Sequence, residues 1–300
     1  MSHDPEARRL VDELCDLLRV APAGDDRFVG ARTPLGAGTG TGRVFGGLVI
    51  GQALAAAEQT VDEDRPAHSL HAYFLRAGDD TRPIDYAVMR DLDGRSFSNR
   101  RTVASQGEKP ILSLTASFMR RADGFRHQDP MPEVPGPEGL ASNEELRRTW
   151  LDKLPPERRQ AFGARRPIEQ RSIEEKSWMT GTAMPPVSHT WFRAIAPLGD
   201  DPRLHRAVLA YASDFTLLAT ATLPHGISWM KQQIREASLD HAVWFHDDFR
   251  ADEWLLYVAR SGWAGRARGF VTGQIFAPDG RLVASVAQEG MLRLVEQSPA

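Results

Sequence analysis

Asp214 stands inside the stretch LHRAVLAYASDFTLLATATLPHG, Leu204–Gly226. Leu204, Val208, Tyr211, Phe215 and Leu218 recur at helical spacing, and alanines fill much of the rest. The spacing predicts one helix, closed by Pro224 and Gly226 and wrapped by other structure. A carboxylate in so dry a setting costs several kcal/mol unless it is paired or hydrogen-bonded. An apolar residue would pack as well there, so Asp214 is a candidate for proton chemistry. A solvent-facing or capping Asp is the plainer alternative.

Other chemistries lack their residues. The chain has no G-x-S-x-G nucleophile elbow and no HExxH. Neither His68-x-x-His71 nor His241/His246 has acids at ligand spacing, so no metal is expected. Gly36, Gly38, Gly40 and Gly42 fit neither G-x-G-x-x-G nor a P-loop, and no cofactor is expected. The single cysteine, Cys15, sits among Leu10, Val11, Leu14 and Leu18; it excludes an internal disulfide and a multi-cysteine metal site. With 41% hydrophobic and 26% charged residues the chain reads as globular, and a net charge of −3 gives no nucleic-acid or membrane footprint. The N-terminus is charged where a signal peptide needs an apolar run, so the expected location is cytoplasmic.

The elements that would position Asp214 come in a repeated order. An amphipathic helix is expected over 6–19, a loop-like Gly- and Pro-rich stretch over 22–44, and a second helix over Phe45–Val61. Strands follow at His68–Leu75, Asp85–Met89, Ser96–Ser105 and Pro110–Met119, with turns at Asp93-Gly94 and Gln106-Gly107. Prolines mark 121–166 as a linker with one or two short helices, for example Asn143–Lys153. Strands resume at Ile168–Ile173 and Thr190–Ile195. After the Asp214 helix they run over Leu239–His246, Glu253–Ser261, Ala267–Phe276 and Arg281–Leu294, with a turn at Asp279-Gly280. Residues match as well as order. LHAYFL (Leu70–Leu75) lies over DHAVWF (Asp240–Phe245), and Gly107–Arg120 lies over Gly280–Arg293. Length also suggests two units.

The two copies differ where chemistry would sit. Asp214 falls in the second helix, whereas the first has Gly46-Gly47 near that place. Ser238 lies over His68, and Gln288 over Thr115. Polar groups on one helix and two strands therefore gather in the second copy only. Taken singly, Ser238 reads as a strand-start residue and Gln288 as an exposed strand residue.

At these residues the chain resembles the acyl-CoA thioesterase II family, whose fold is a double hotdog. The matching stretches include RVFGGLVIGQAL (Arg43–Leu54), HSLHAYFLRAGD (His68–Asp79), RSFSNRR (Arg95–Arg101), LTASF (Leu114–Phe118), YASDF (Tyr211–Phe215), PHG (Pro224–Gly226), SLDHAVWFH (Ser238–His246), ARGF (Ala267–Phe270) and VASVAQEGMLR (Val283–Arg293). The resemblance implies an α+β fold of two tandem repeats, each a long helix wrapped by a curved antiparallel sheet. It places an N-terminal hotdog at 1–120, a Pro-rich linker at 121–166 and a C-terminal hotdog at 167–300. It implies hydrolysis of acyl-CoA to free fatty acid and CoA, in fatty acid metabolism, by a homo-oligomer, a dimer of double hotdogs. By motif its catalytic set falls on Asp214, Ser238 and Gln288. Asp214 would take a proton from water that Ser238 and Gln288 orient, with backbone amides near a helix start meeting the charge on oxygen. The chain departs from the family at Leu48, where many relatives have Gln, and in the Gly-rich loop before Arg43. Two rival readings remain. One is an enoyl-CoA hydratase or dehydratase-like enzyme pairing Asp with a His, although His71 and His241 read as structural. The other is a non-catalytic acyl-CoA-binding protein.

Overall fold

Small residues let the two central helices touch, and the rest of the chain wraps around that contact. The structure, a computed structural model, describes residues 4–32, 42–154, 156–174, 181–227 and 234–295. Its helices are α1 (Pro5–Leu18), α2 (Gly46–Glu58), α3 (Asn143–Arg148), α4 (Pro156–Gly163) and α5 (Pro202–Ser213). The strands are β1 (Val20–Pro22), β2 (Arg27–Gly30), β3 (Ala67–Phe74), β4 (Ile84–Asp93), β5 (Phe97–Gln106), β6 (Lys109–Met119), β7 (Ile168–Ser172), β8 (Val187–Ala194), β9 (Ile234–Ser238), β10 (Asp240–Phe245), β11 (Leu255–Gly265), β12 (Arg268–Phe276) and β13 (Leu282–Leu294).

Helix α2 is buried almost throughout because Gly, Ala, Leu, Val and Ile occupy nearly all its positions. It packs against α5, and a Cβ on Gly51 would stand 3.1 Å from the Ala207 carbonyl of α5. The helices come so close that glycine fits and a side chain does not. A buried Arg206–Glu58 ion pair of 2.6 Å ties the start of α5 to the end of α2. Helix α1 is capped by Asp4, carries Pro5 in its first turn, and lays Ala7, Val11, Leu14, Cys15 and Leu18 on the core.

The described strands make one antiparallel sheet in the order β1-β2-β4-β5-β6-β3-β10-β13-β12-β11-β8-β7, with β9 also on β13. The first half of the chain supplies one side and the second half the other, joined at β3–β10. There His71 lies opposite Ala242 and Ala72 opposite His241. His71 and His241 are repeat mates in sequence, so each faces the neighbour of the other, as a two-fold axis through the pair requires. The next strands follow suit: Tyr73 pairs Ser113 on β6, and its repeat mate Val243 pairs Val286 on β13.

Most expected elements lie where the pattern put them, and three readings change. The Leu204–Gly226 helix is broken. α5 ends at Ser213, Asp214 is its C-cap, and a 3-10 helix resumes at Leu218–His225, closed by Gly226 in the left-handed region at φ 58. The Tyr257 hydroxyl takes the Ser213 carbonyl at 3.1 Å, so that carbonyl leaves the helical ladder satisfied. The stretch 22–44 is not all loop, since Arg27–Gly30 pairs with β4 at the sheet's margin. Gly36, Gly38 and Gly40 lie outside the described residues. Strand β9 was not expected.

The 121–166 segment is held against the sheet. Trp191 Nε1 donates to the Pro135 carbonyl at 2.9 Å, and Met131, Val134 and Leu140 pack on Trp191, Leu256 and Phe276. Pro202–His225 is long and apolar enough by composition to cross a membrane, yet 61% of its apolar window is buried inside the protein, the place of a core helix.

Candidate active site

Asp214, Ser238 and Gln288 meet at one point under the break in the Asp214 helix. Gln288 Nε2 donates to Asp214 Oδ1 at 2.8 Å and to Ser238 Oγ at 2.9 Å. Both amide hydrogens are thereby used, and Gln288 Oε1 is a buried acceptor without a partner. Because Ser238 Oγ accepts from Gln288, its own hydrogen is free to donate.

The sheet aims Ser238 inward by a register change. Ser238 pairs Gly290 on β13, whereas Ala242 pairs Ala287. Four residues on this side are matched by three on β13, so one extra residue lies between. That is a β-bulge, which re-aims a side chain beside it. It puts Ser238 and His241, three residues apart, on the same face. Asp240 fixes the bulge by accepting the Glu289 N–H at 2.6 Å.

The ends of both helices complete the pocket. The start of α2 meets the end of α5, and the Gly47 amide acts on the Asp214 carboxylate. A Cβ on Gly46 would lie 2.8 Å from Asp214 Oδ2 and 2.9 Å from the Phe74 ring, so only glycine leaves that oxygen open. Phe45 stacks on Phe215 with centroids 4.8 Å apart and meets Tyr211 edge-on, which walls the site with aromatic surface. Burial pushes Asp214 up to about 6; the Gln288 amide and the Gly47 N–H pull the other way. A carboxylate poised there is ionised near neutral pH and still a usable base.

His241 lies beside the carboxylate, its Nδ1 3.8 Å from Asp214 Oδ1. Ser213 Oγ gives its hydrogen to the Ala210 carbonyl, so it accepts from His241 Nε2–H at 2.8 Å. Nδ1 is then an unprotonated lone pair with no partner, and burial drives the ring down to about 3. His241 is neutral near pH 7. His71 is exposed and turned onto Trp244 instead. Leu48 is buried in the core. Arg100 in the RSFSNRR stretch is buried as well, bonded to Thr60, Leu92, Asn99 and Asp93, and serves the fold.

Sequence reasoning missed Gly46, Gly47 and His241 as neighbours of Asp214. In sequence the first two read as its counterparts in the repeat and as helix-weakening glycines that suit a close approach of another backbone or a ligand. Among the described residues no cluster of three His, Cys, Asp or Glu is placed to hold a metal ion.

A long helix in a wrapped antiparallel sheet, given twice with one acid-amide-hydroxyl cluster, defines a double hotdog of the thioesterase type. Comparison with known proteins agrees. A family model described as acyl-CoA thioesterase matches residues 157–291, and one described as acyl-CoA thioesterase N-terminal domain matches 33–119. The chain is 37% identical to acyl-CoA thioesterase 2 of Haemophilus influenzae over 287 residues, 96% of this chain and 99% of that protein. It is 41% identical to human acyl-coenzyme A thioesterase 8 over 263 residues, 85% of this chain and 82% of that one. The crystal structure of acyl-CoA thioesterase II TesB2 from Mycobacterium marinum superposes with a TM-score of 0.75 at 36% identity, covering 97% of this chain and 99% of that one. The chain belongs to the acyl-CoA thioesterase II family.

Proposed function

We propose that the protein hydrolyses acyl-CoA to free fatty acid and CoA by direct attack of water on the thioester, with Asp214, Ser238 and Gln288 as its catalytic set. The observation that carries this is the Gln288 amide holding Asp214 and Ser238 together beside an open carboxylate oxygen. Asp214 accepts the water proton as the C–O bond forms. The free Ser238 hydrogen and the Gln288 Oε1 lone pair orient the water, and the thiolate of CoA leaves as the tetrahedral centre collapses. Among the described residues no histidine bonds Ser238 and its Oγ is held by Gln288, so the reading needs no acyl-enzyme.

The dehydratase reading calls for a histidine that trades protons. His241 is neutral, its Nε2–H is spent on Ser213, and it supports the carboxylate's surroundings instead. We assign the two repeats to 1–120 and 167–300, joined by 121–166, and place the enzyme as a dimer of double hotdogs in cytoplasmic fatty acid metabolism.

The test is thiol release from a panel of acyl-CoAs by the wild type, Gln288→Ala and Thr115→Ala. Thr115 is the repeat mate of Gln288 and lies in β6, opposite His71. Gln288→Ala is expected to lose about 10²-fold in kcat, and Thr115→Ala to stay within about threefold. Equal losses would reject the one-site assignment, and an inactive wild type would reject the activity.

A further inference from the structure

A cleft of about 410 Å³ opens beside the site between the start of α1, helix α3 and strand β7, with Phe215 on its wall. Six arginines line it. Four are paired: Arg148 with Glu144, Arg165 with Asp4 and Glu6, and Arg171 and Arg193 with Glu169. Arg147 and Arg166 have no such carboxylate among the described residues. Arg147 gives one bond, to the Ala164 carbonyl at 3.4 Å, and its Nε is buried without a partner. Glu144, the acid Arg147 feels, is already held by Arg148. Burial and then the charge of Arg166 bring Arg147 down to about 10, and burial holds Arg166 below its usual value. Two like charges that act on each other across one cleft are relieved by an anion, and the planar guanidinium fork matches phosphate oxygens.

The position of the pair favours the substrate itself. Phe215 follows Asp214 in the chain, and its ring meets Tyr211 at 5.0 Å, the side chain that Arg166 senses. Phe215 thus borders both the site and the cleft that the two arginines line. In an acyl-CoA the acyl chain, thioester and pantetheine arm are uncharged, and all the negative charge lies in the phosphates at the far end of a long flexible arm. We propose that Arg147 and Arg166 bind the phosphate groups of the CoA moiety, so that the nucleotide end of the substrate rests in this cleft. The assignment rests on the acyl-CoA reading above.

The experiment compares acyl-CoA with the S-acyl-N-acetylcysteamine thioester, which has no phosphate. For Arg147→Ala and Arg166→Ala, KM for acyl-CoA is expected to rise about 10-fold or more with kcat within about threefold. Kinetics on the phosphate-free thioester should not change, and Arg166→Lys should recover part of the loss. An unchanged KM for acyl-CoA, or equal losses on both substrates, would overturn the proposal. Adenosine 3′,5′-bisphosphate should compete with acyl-CoA far better than inorganic phosphate; equal competition would reduce the cleft to a general anion site and reject the assignment. If the wild type hydrolyses no thioester, the activity fails separately. Calorimetric titration of CoA into the wild type and Arg166→Ala then decides this proposal: weaker binding by the variant supports it and equal binding rejects it.

Discussion

Replacing Asp214 by asparagine should make the protein slower and more stable at once. In the folded protein the carboxyl is raised from its ordinary 3.8 to about 6, chiefly by burial. At about 1.4 kcal/mol for each pH unit, the ionised group disfavours the folded state by about 3 kcal/mol. The proton is held more tightly in the folded protein than in the unfolded chain. The stability that protonated Asp214 contributes is therefore full below about pH 3.8 and lost as pH rises through about 6. About half of the penalty is present at pH 5, and about 1.4 kcal/mol more has set in by pH 7.5. Asp214→Asn would keep an oxygen for Gln288 but give up the charge that the Gly47 amide favours, so the gain at pH 7.5 should be about 1–3 kcal/mol. Urea unfolding of both proteins at pH 5 and 7.5 measures it. Turnover should fall about 10²–10⁴-fold, and wild-type kcat should decline below about pH 6 as the base is protonated. Near wild-type turnover in the variant would refute the role of Asp214 as base. A stability gap that does not widen from pH 5 to 7.5 would refute the assigned burial energetics.

Three further outcomes follow from the geometry. Ser238→Thr keeps the hydroxyl that Gln288 holds and should retain most activity, whereas Ser238→Ala should lose about 10–10³-fold. Excess acyl-CoA should give no burst of CoA, and mass spectrometry of quenched enzyme no acyl adduct; a stoichiometric burst with an adduct on Ser238 would replace direct water attack by a covalent route. Gly46→Ala puts a methyl 2.8 Å from Asp214 Oδ2 and should reduce kcat about 10-fold or more, while Gly262→Ala, with nothing within 4 Å of its new Cβ, should not. Equal activity of the two would mean that Oδ2 is not the oxygen that water uses.

Local pattern was enough for much of this. Apolar spacing located α1, α2 and most strands, since burial of one face is written at a period of 3.6 or 2. The duplication was legible in LHAYFL over DHAVWF, and comparing the copies singled out Asp214, Ser238 and Gln288 before any coordinates. What lay beyond reach were facts set by contacts between segments far apart in the chain. Spacing alone runs a helix straight through Asp214. Tyr257, distant in sequence, takes the Ser213 carbonyl, and the helix ends there with the carboxylate at its cap. Strict alternation would turn Ser238 and His241 to opposite faces. The bulge that brings them to one face exists only because β9 and β10 both pair with β13, one residue out of step. Gly46 and Gly47 read as helix-weakening residues until the start of α2 is seen against Asp214. The two arginines of the cleft carry no motif at all. That neither has a carboxylate partner among the described residues is decided by where the folded chain puts its acids.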